Sequence, residues 1–398
     1  MDRARPRRHC AGAPPNVPCQ LGAGERVRWL PKARSKSLSC LFAINKPSGQ
    51  VSMQLLNQLQ PLFASSSLFK PGPASAPHPN DKTKRRKWKQ ERVKMGQGGT
   101  LDPLADGVLV IGVNDATKQL SKFLDCTKEY RAIGLLGCST DSYDSDGKRV
   151  KLASFDGITR DKIEGVLGKF RGEIEQIPPM QMDGKPLYEY ARTNTPLPRP
   201  ITSRKTTIHA LQLLNFTPGD QHSYEYPAEE LDEQAKLELG RLEKMVSEGS
   251  TIVPSEPAEP ATANPSQPES GSASPTRPPT FEISLTVSSG TYVRSIIHDI
   301  AIALGSRAHV VKLTRTRQGQ FVLDDPSPAG PPASSETAEG ETKVVAEGTT
   351  IGCVRWETLE AAIKAFDADK KAGRKPAPAS EDADYAEWEK ELLSKCKE

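Results

Sequence analysis

The sequence predicts an α+β protein, on three observations. Strand-like and helix-like segments interleave without a regular β-α-β rhythm. The glycine cluster Gly96-Gln97-Gly98-Gly99 is not a dinucleotide fingerprint, because the third glycine would fall at 101, where Leu stands, and no phosphate-binding Gly-x-x-x-x-Gly-Lys-Ser/Thr occurs. Apolar residues make up only 36% of the 398 positions, beside 34 prolines and 30 glycines, so part of the length is linker rather than core.

Taken in order, order begins near Leu38. Leu41–Ile44 is a short apolar strand, stopped by the turn chemistry of Asn45-Lys46-Pro47-Ser48-Gly49, and Ser52–Leu59 has the spacing of an amphipathic helix. Pro71–Pro79 is a proline-rich loop. Lys82–Lys89 is a basic run with one Trp, readable as a nuclear-import signal, an RNA-backbone contact or a solvated loop. The glycine turn then leads to Asp102-Pro103, which suits an N-cap followed by the first residue of a helix. Val108–Val113 is apolar, Ala116–Leu124 reads as a helix, and Glu129–Leu136 as a strand. Thr140–Gly147 is an acidic turn without the ligand positions of an EF-hand. Thr159–Lys169 reads as a helix, Arg204–Phe216 contains a strand, and Glu229–Ser247 has helical spacing.

Pro254–Pro279 holds eight prolines and almost no bulky apolar side chains, too few to offset its ordering entropy. Phe281–Val287 alternates as a strand, Thr291–Leu304 reads as a helix and Val310–Thr316 as a strand. Pro326–Gly348 is a linker, and Trp356–Phe366 a short amphipathic helix before a charged tail. The expected organisation is a basic N-terminal tail or transit peptide over 1–37 and one catalytic domain over 38–323. That domain carries a basic insertion at 65–95 and an acidic, Pro/Ser-rich one at 217–280. A linker at 324–350 and a short helical, charged tail at 351–398 follow.

The net charge of +4 is unevenly spread, with basic character in the first forty residues and in Lys82–Lys94, which suits a polyanionic partner. The seven cysteines are scattered, with no C-x-x-C and none at ligand spacing from a His. Neither a disulfide framework nor a zinc site is expected, and the default compartment is reducing. No apolar run approaches a membrane span. The arginines of residues 1–37 fit a mitochondrial transit peptide, although the prolines there disfavour a long amphipathic helix.

Chemistry concentrates in a few segments: Gly99-Thr100-Leu101-Asp102-Pro103-Leu104-Ala105-Asp106-Gly107, Lys128-Glu129-Tyr130, Leu187-Tyr188-Glu189-Tyr190-Ala191-Arg192 and Gly290-Thr291-Tyr292-Val293-Arg294. Each alone has an ordinary structural reading. Together with Asn45-Lys46-Pro47-Ser48-Gly49, in this order and approximate spacing, they resemble the TruB-type tRNA pseudouridine synthases. The resemblance runs over roughly Leu41–Leu323 apart from the insertions, and the fungal nuclear and mitochondrial branch is the most similar.

The resemblance implies the pseudouridine-synthase fold, a bent, largely antiparallel sheet with flanking helices around a central RNA-binding cleft. It implies an isomerase that flips out the uridine at position 55 in the T-arm of tRNA, without cofactor or metal, in the nucleus and/or mitochondrion; a monomer is the default expectation. Asp102 matches the catalytic carboxylate, as nucleophile at the sugar or as base at C2′. Arg294 matches the arginine that holds it, and Tyr130 the tyrosine that stacks on the target base. Lys46, Pro47, Gly98, Gly99, Thr100, Leu101, Tyr188, Arg192, Tyr292 and Leu313 match substrate-binding positions. Gln97 stands where bacterial members have a His thought to help open the RNA loop, so no essential His is expected. The Pro179–Gly184 segment is a few residues shorter than in the family, and residues 349–398 are too short and charged for the RNA-binding PUA domain of bacterial members. The alternatives are a guide-RNA-dependent synthase of the dyskerin type and a tRNA-binding chaperone that needs no catalysis.

Overall fold

Alternating apolar residues over 128–136 and 280–287, and continuous apolar runs over 41–44 and 108–111, build the centre of the sheet, which sets the position of everything else. The computed structural model describes residues 37–69, 93–176, 181–182, 185–186, 204–237, 239, 277–323, 350–374 and 385–397. The strands used below are β1 (Leu41–Lys46), β2 (Met95–Gln97), β3 (Asp106–Val113), β4 (Lys128–Leu136), β5 (Cys138–Thr140), β6 (Arg149–Leu152), β7 (Gly172–Gln176), β8 (Gln181–Met182), β9 (Lys185–Pro186), β10 (Arg204–Thr217), β11 (Thr280–Val287), β12 (Ala308–Gln318), β13 (Phe321–Val322) and β14 (Ile351–Gly352). The helices are α1 (Ser52–Ser65), α2 (Ser121–Asp125), α3 (Arg160–Leu167), α4 (Val293–Ala303), α5 (Trp356–Lys371) and α6 (Glu387–Ser394).

The main sheet runs β1-β3-β12-β4-β11-β10-β7, with β2 added on β3 and β13–β14 on β12. Pairing is antiparallel except for β3 with β12 and β13 with β14. Register shifts interrupt β10–β11 and β4–β12, where extra residues bend a strand. The fold is thus α+β, as the sequence predicts. Phe42, Ile44, Leu109 and Ile111 point into one core, which Phe281, Ile283, Ile296, Ile297 and Ile300 share. Leu41, Ala43, Val108 and Val110 point the other way, against Phe123 and Phe321.

The parallel junction of β3 and β12 depends on a glycine. Gly107 has φ +98°, and a Cβ there would lie 2.3 Å from the Arg315 carbonyl oxygen. Gly107→Ala is expected to destabilise the protein by more than about 1 kcal/mol through backbone strain and this clash, read as a lower urea midpoint.

The described residues of the helical, charged C-terminal segment, 350–374 and 385–397, pack on the rest of the fold. Val354 and Lys397 bond the backbone of β1, which is otherwise the sheet's edge: Val354 N–H donates to the Ala43 carbonyl (2.8 Å), and Leu41 and Lys397 exchange N–H···O bonds (2.7 and 2.8 Å). An open edge strand invites pairing with another chain, and this segment closes it. Trp388 is buried, its ring centroid 5.1 Å from that of Phe63 on α1, and Trp356, Leu359 and Leu392 are buried with it.

One further expectation changes. The single helix expected over Ala116–Leu124 is a 3-10 turn, Asn114–Gln119, followed by the short α2. There the Thr117 hydroxyl bonds the Asn114 carbonyl, tightening the turn. Part of the expected 217–280 insertion is packed: the Tyr226 hydroxyl donates to the Leu136 carbonyl (2.8 Å), and Leu231, Ala235 and Leu239 cluster on Val150 of β6.

Candidate active site

Asp102 does not cap a helix. The Ala105 N–H donates to the Asp102 carbonyl (3.1 Å), closing a turn over Asp102-Pro103-Leu104-Ala105, and β3 starts directly after it. Asp at the first and Pro at the second position suit such a turn as well as they suit a helix start. The carboxylate is therefore not committed to helix N–H groups.

The turn is gripped from one side. The Lys46 ammonium donates to the carbonyls of Ala105 (2.6 Å), Pro103 (3.2 Å) and Pro47 (2.9 Å). The Ser48 hydroxyl takes Leu104 (2.6 Å), Gly49 N–H takes Pro103 (2.8 Å) and the Ser52 hydroxyl takes Leu101 (2.9 Å). The Lys-Pro-Ser-Gly turn thus supplies the donors that the carbonyls around Asp102 need. On the other side, the buried Arg315 donates to the carbonyls of Val108 (2.7 Å) and Gly99 (3.1 Å). The Gln318 amide donates to Gly98 and Phe123. Gly98 must be a glycine here, since a Cβ would meet the Phe123 Cβ at 2.8 Å.

Held so, Asp102 meets Arg294. Its Oδ2 lies 3.0 Å from Arg294 Nε, at the first turn of α4. Arg294 Nη1 reaches Asp144 Oδ2 at 2.8 Å and donates to the Ser142 carbonyl at 2.8 Å. One guanidinium thus bridges two carboxylates through two different nitrogens of its planar fork. The side chain of Asp102 is 39% exposed, against 15% for Arg294 and 6% for Asp144. The exposed carboxylate is free to meet a ligand, and the buried one orients the arginine. Asp144 is fixed in turn by the Ser142 hydroxyl (2.5 Å) and the Asp146 N–H (3.1 Å). Desolvation, with Asp144 beside it, raises the Asp146 carboxyl above its ordinary value.

The start of α4 has no side-chain cap of its own. The buried Gln176 on β7 bonds the Tyr292 backbone with both ends of its amide, accepting from the N–H (3.0 Å) and donating to the carbonyl (3.2 Å). This fixes the residue two before Arg294.

Comparison with known proteins decides the family. Residues 85–227 match the model of the TruB family pseudouridylate synthase (N terminal domain). The chain is 41% identical over 330 residues to tRNA pseudouridine synthase 4 of Schizosaccharomyces pombe, covering 72% of this chain and 80% of that protein. It is 34% identical over 370 residues to tRNA pseudouridine synthase 4 of Saccharomyces cerevisiae, covering 83% and 90%. The chain belongs to the TruB family of pseudouridylate synthases. It is also similar to tRNA pseudouridine synthase B of Bordetella avium, 34% identical over 271 residues, 67% of this chain and 84% of that protein.

Of the positions matched to TruB-type synthases, Asp102 and Arg294 are in direct contact. Tyr130 and Leu313 are buried on adjacent strands, opposite Arg315 and Ala132 respectively. Tyr292 immediately precedes α4. Gln97 donates to the Thr100 hydroxyl (3.0 Å), and its Oε1 has no partner among the described residues. Tyr188 and Arg192 lie outside the described residues, as does most of the shortened Pro179–Gly184 segment, of which Gln181–Met182 forms β8.

Lys46 and Leu101 differ from expectation. Lys46 is fully buried with its ammonium among carbonyls, so it holds the loop in place of the substrate contact expected for it. The Leu101 side chain is part of the core, its backbone tied to Ser52. Asp144 and Gln176 were not among the expected site residues.

Burial pulls the Lys46 ammonium down to about 8, against the opposing pull of the Asp106 and Asp102 carboxylates. Below that pH Lys46 is charged both folded and unfolded. Above it, and up to the ordinary lysine value of about 10.4, the unfolded chain holds the extra proton, so this group's contribution to stability rises with pH. Urea titrations should show the stability of the native protein rising, relative to Lys46→Met, across that window.

Proposed function

We propose that this chain converts the uridine at position 55, in the T-arm of tRNA, to pseudouridine, acting without a guide RNA. Uridine-to-pseudouridine isomerisation in tRNA is the reaction that its TruB membership gives it. The T-arm, position 55 and single-chain action are our reading. The observation that carries the chemistry is the half-exposed Asp102 carboxylate on the Arg294 guanidinium, 3.0 Å away.

The reaction cuts the C1′–N1 bond of the uridine, rotates the base and rejoins C1′ to C5, releasing the C5 hydrogen. One carboxylate at the sugar suffices, as nucleophile at C1′ or as base at C2′. Arg294 aims Asp102, and Asp144 fixes the other end of Arg294. The target base has to leave its stack to reach this carboxylate. Flipping costs a few kcal/mol, offset by aromatic and apolar walls, for which Tyr130, Tyr292 and Leu313 are the residues we assign. We place the protein in the nucleus and/or mitochondrion on the basic run Lys82–Lys89 and the arginines of residues 1–37.

The test is tritium release from C5-labelled uridine in an unmodified tRNA transcript and in an isolated T-arm stem-loop, with purified protein alone. Release from both supports the proposal. Release only on adding a guide RNA would favour the dyskerin-type reading, and tight binding without release would favour a chaperone.

A further inference from the structure

The acidic turn that carries Asp144 touches α4 at a second point. The ring of Tyr143 stacks on the imidazole of His298, with centroids 4.1 Å apart and planes 19° from parallel. Arg294 and His298 are four residues apart on α4 and so lie side by side on one face. Tyr143 and Asp144 are consecutive on the turn. Two neighbouring turn residues therefore dock on two neighbouring helix turns, one by a ring stack and one by an ion pair.

The backbone of the turn is anchored to β12, with Val310 N–H donating to the Tyr143 carbonyl and Ser145 N–H to the Val310 carbonyl, both at 2.9 Å. What the anchor leaves open is the torsion that directs the side chains. Tyr143 has φ +60°, a left-handed conformation unfavourable for a residue with a Cβ. In that conformation the ring lies on His298 while the next side chain reaches Arg294. His298 is buried in α4; its Nδ1 has no partner among the described residues, the Ala308 backbone bonds the ring, and the ring face lies against Tyr143. Burial also keeps the imidazole neutral at physiological pH, pulled down to about 4, so it does not repel Arg294.

We propose that Tyr143 and His298 are positioning residues for the isomerisation: their stack holds Tyr143 in its left-handed conformation, which keeps Asp144 on Arg294 and so keeps Arg294 on Asp102. The inference rests on the reading of Asp102 as the catalytic carboxylate. Neither ring needs to touch the RNA for this role.

Four proteins test it: the native chain, Tyr143→Ala, Tyr143→Phe and His298→Leu. Each is assayed for kcat and KM on unmodified tRNA by tritium release, with a thermal melt. Tyr143→Ala and His298→Leu should each lower kcat about tenfold with KM within about twofold, the pattern of a defect felt in the transition state and not in binding. Tyr143→Phe keeps the ring and should restore kcat. A stack that only fills space would lower the melting temperature and leave kcat of the folded fraction unchanged, and that result overturns the proposal. So does a kcat loss in Tyr143→Phe equal to that in Tyr143→Ala, which would assign the effect to the hydroxyl. If Tyr143→Ala does not fold, His298→Leu carries the same decision. An Asp102→Asn control that keeps full activity would instead overturn the underlying reading of the site.

Discussion

Asp102→Asn loses tRNA isomerisation by about four orders of magnitude or more, the scale seen when a group that forms or breaks bonds is removed. The amide is nearly isosteric and can still accept a bond from Arg294, but it is neither a carboxylate nucleophile nor a base. Because the side chain is 39% exposed and surface ion pairs contribute little, the variant should fold with almost unchanged stability. Its affinity for tRNA should stay within a few-fold, since the carboxylate is one contact in a large interface. Single-turnover tritium release together with filter binding separates the two quantities.

Arg294→Met has the opposite profile, losing both activity and stability. The long unbranched side chain fills much of the same space. It leaves Asp144, only 6% exposed, without its cation. Removing one partner of a buried pair costs roughly 3–5 kcal/mol, because the remaining charge is stranded. Asp144 keeps its bonds from the Ser142 hydroxyl and the Asp146 N–H, so the lower end of that range is expected. Urea denaturation measures this loss directly. Arg294→Lys separates charge from geometry: an ammonium is a point donor and cannot span Asp102 and Asp144 as Nε and Nη1 do, so activity should remain low although charge is kept.

How much of this was legible in the sequence depends on distance along the chain. Strands such as Lys128–Leu136 and Thr280–Val287 announce themselves by alternation, because one face of each is buried. The glycines, Asp102 and Arg294 stand in recognisable motifs. What the sequence conceals is what those motifs touch. Lys46 reads as a substrate-facing cation until the carbonyls of residues 103 and 105, far along the chain, are seen to surround it. Asp144 is hidden among Asp141 and Asp146 in a polar turn, and only the fold brings it to residue 294. The one local hint is the run of short polar side chains from Thr140 to Asp146, broken only by Tyr143; the hydroxyls and carboxylates of the run bond within the turn. Gln176 gives no local sign, since its partner lies 116 residues away.

The helix-start reading of Asp102-Pro103 failed because Pro fits a turn and a helix start equally well, and the following residues were claimed by β3. The buried face of the helical, charged C-terminal segment is hard to see in the sequence because Trp388 sits among Glu387, Glu389, Lys390 and Glu391. The spacing of Trp388 and Leu392 was the trace of its buried face.

The central claim is that the carboxylate of residue 102 performs the isomerisation on a tRNA uridine. It is tested most directly by position-resolved mapping of pseudouridine on an unmodified tRNA transcript after incubation with the native protein or with Asp102→Asn. The account predicts pseudouridine at position 55 with the native protein and unmodified uridine there with the variant. Pseudouridine at that position after incubation with Asp102→Asn, at a rate near that of the native protein, would contradict it.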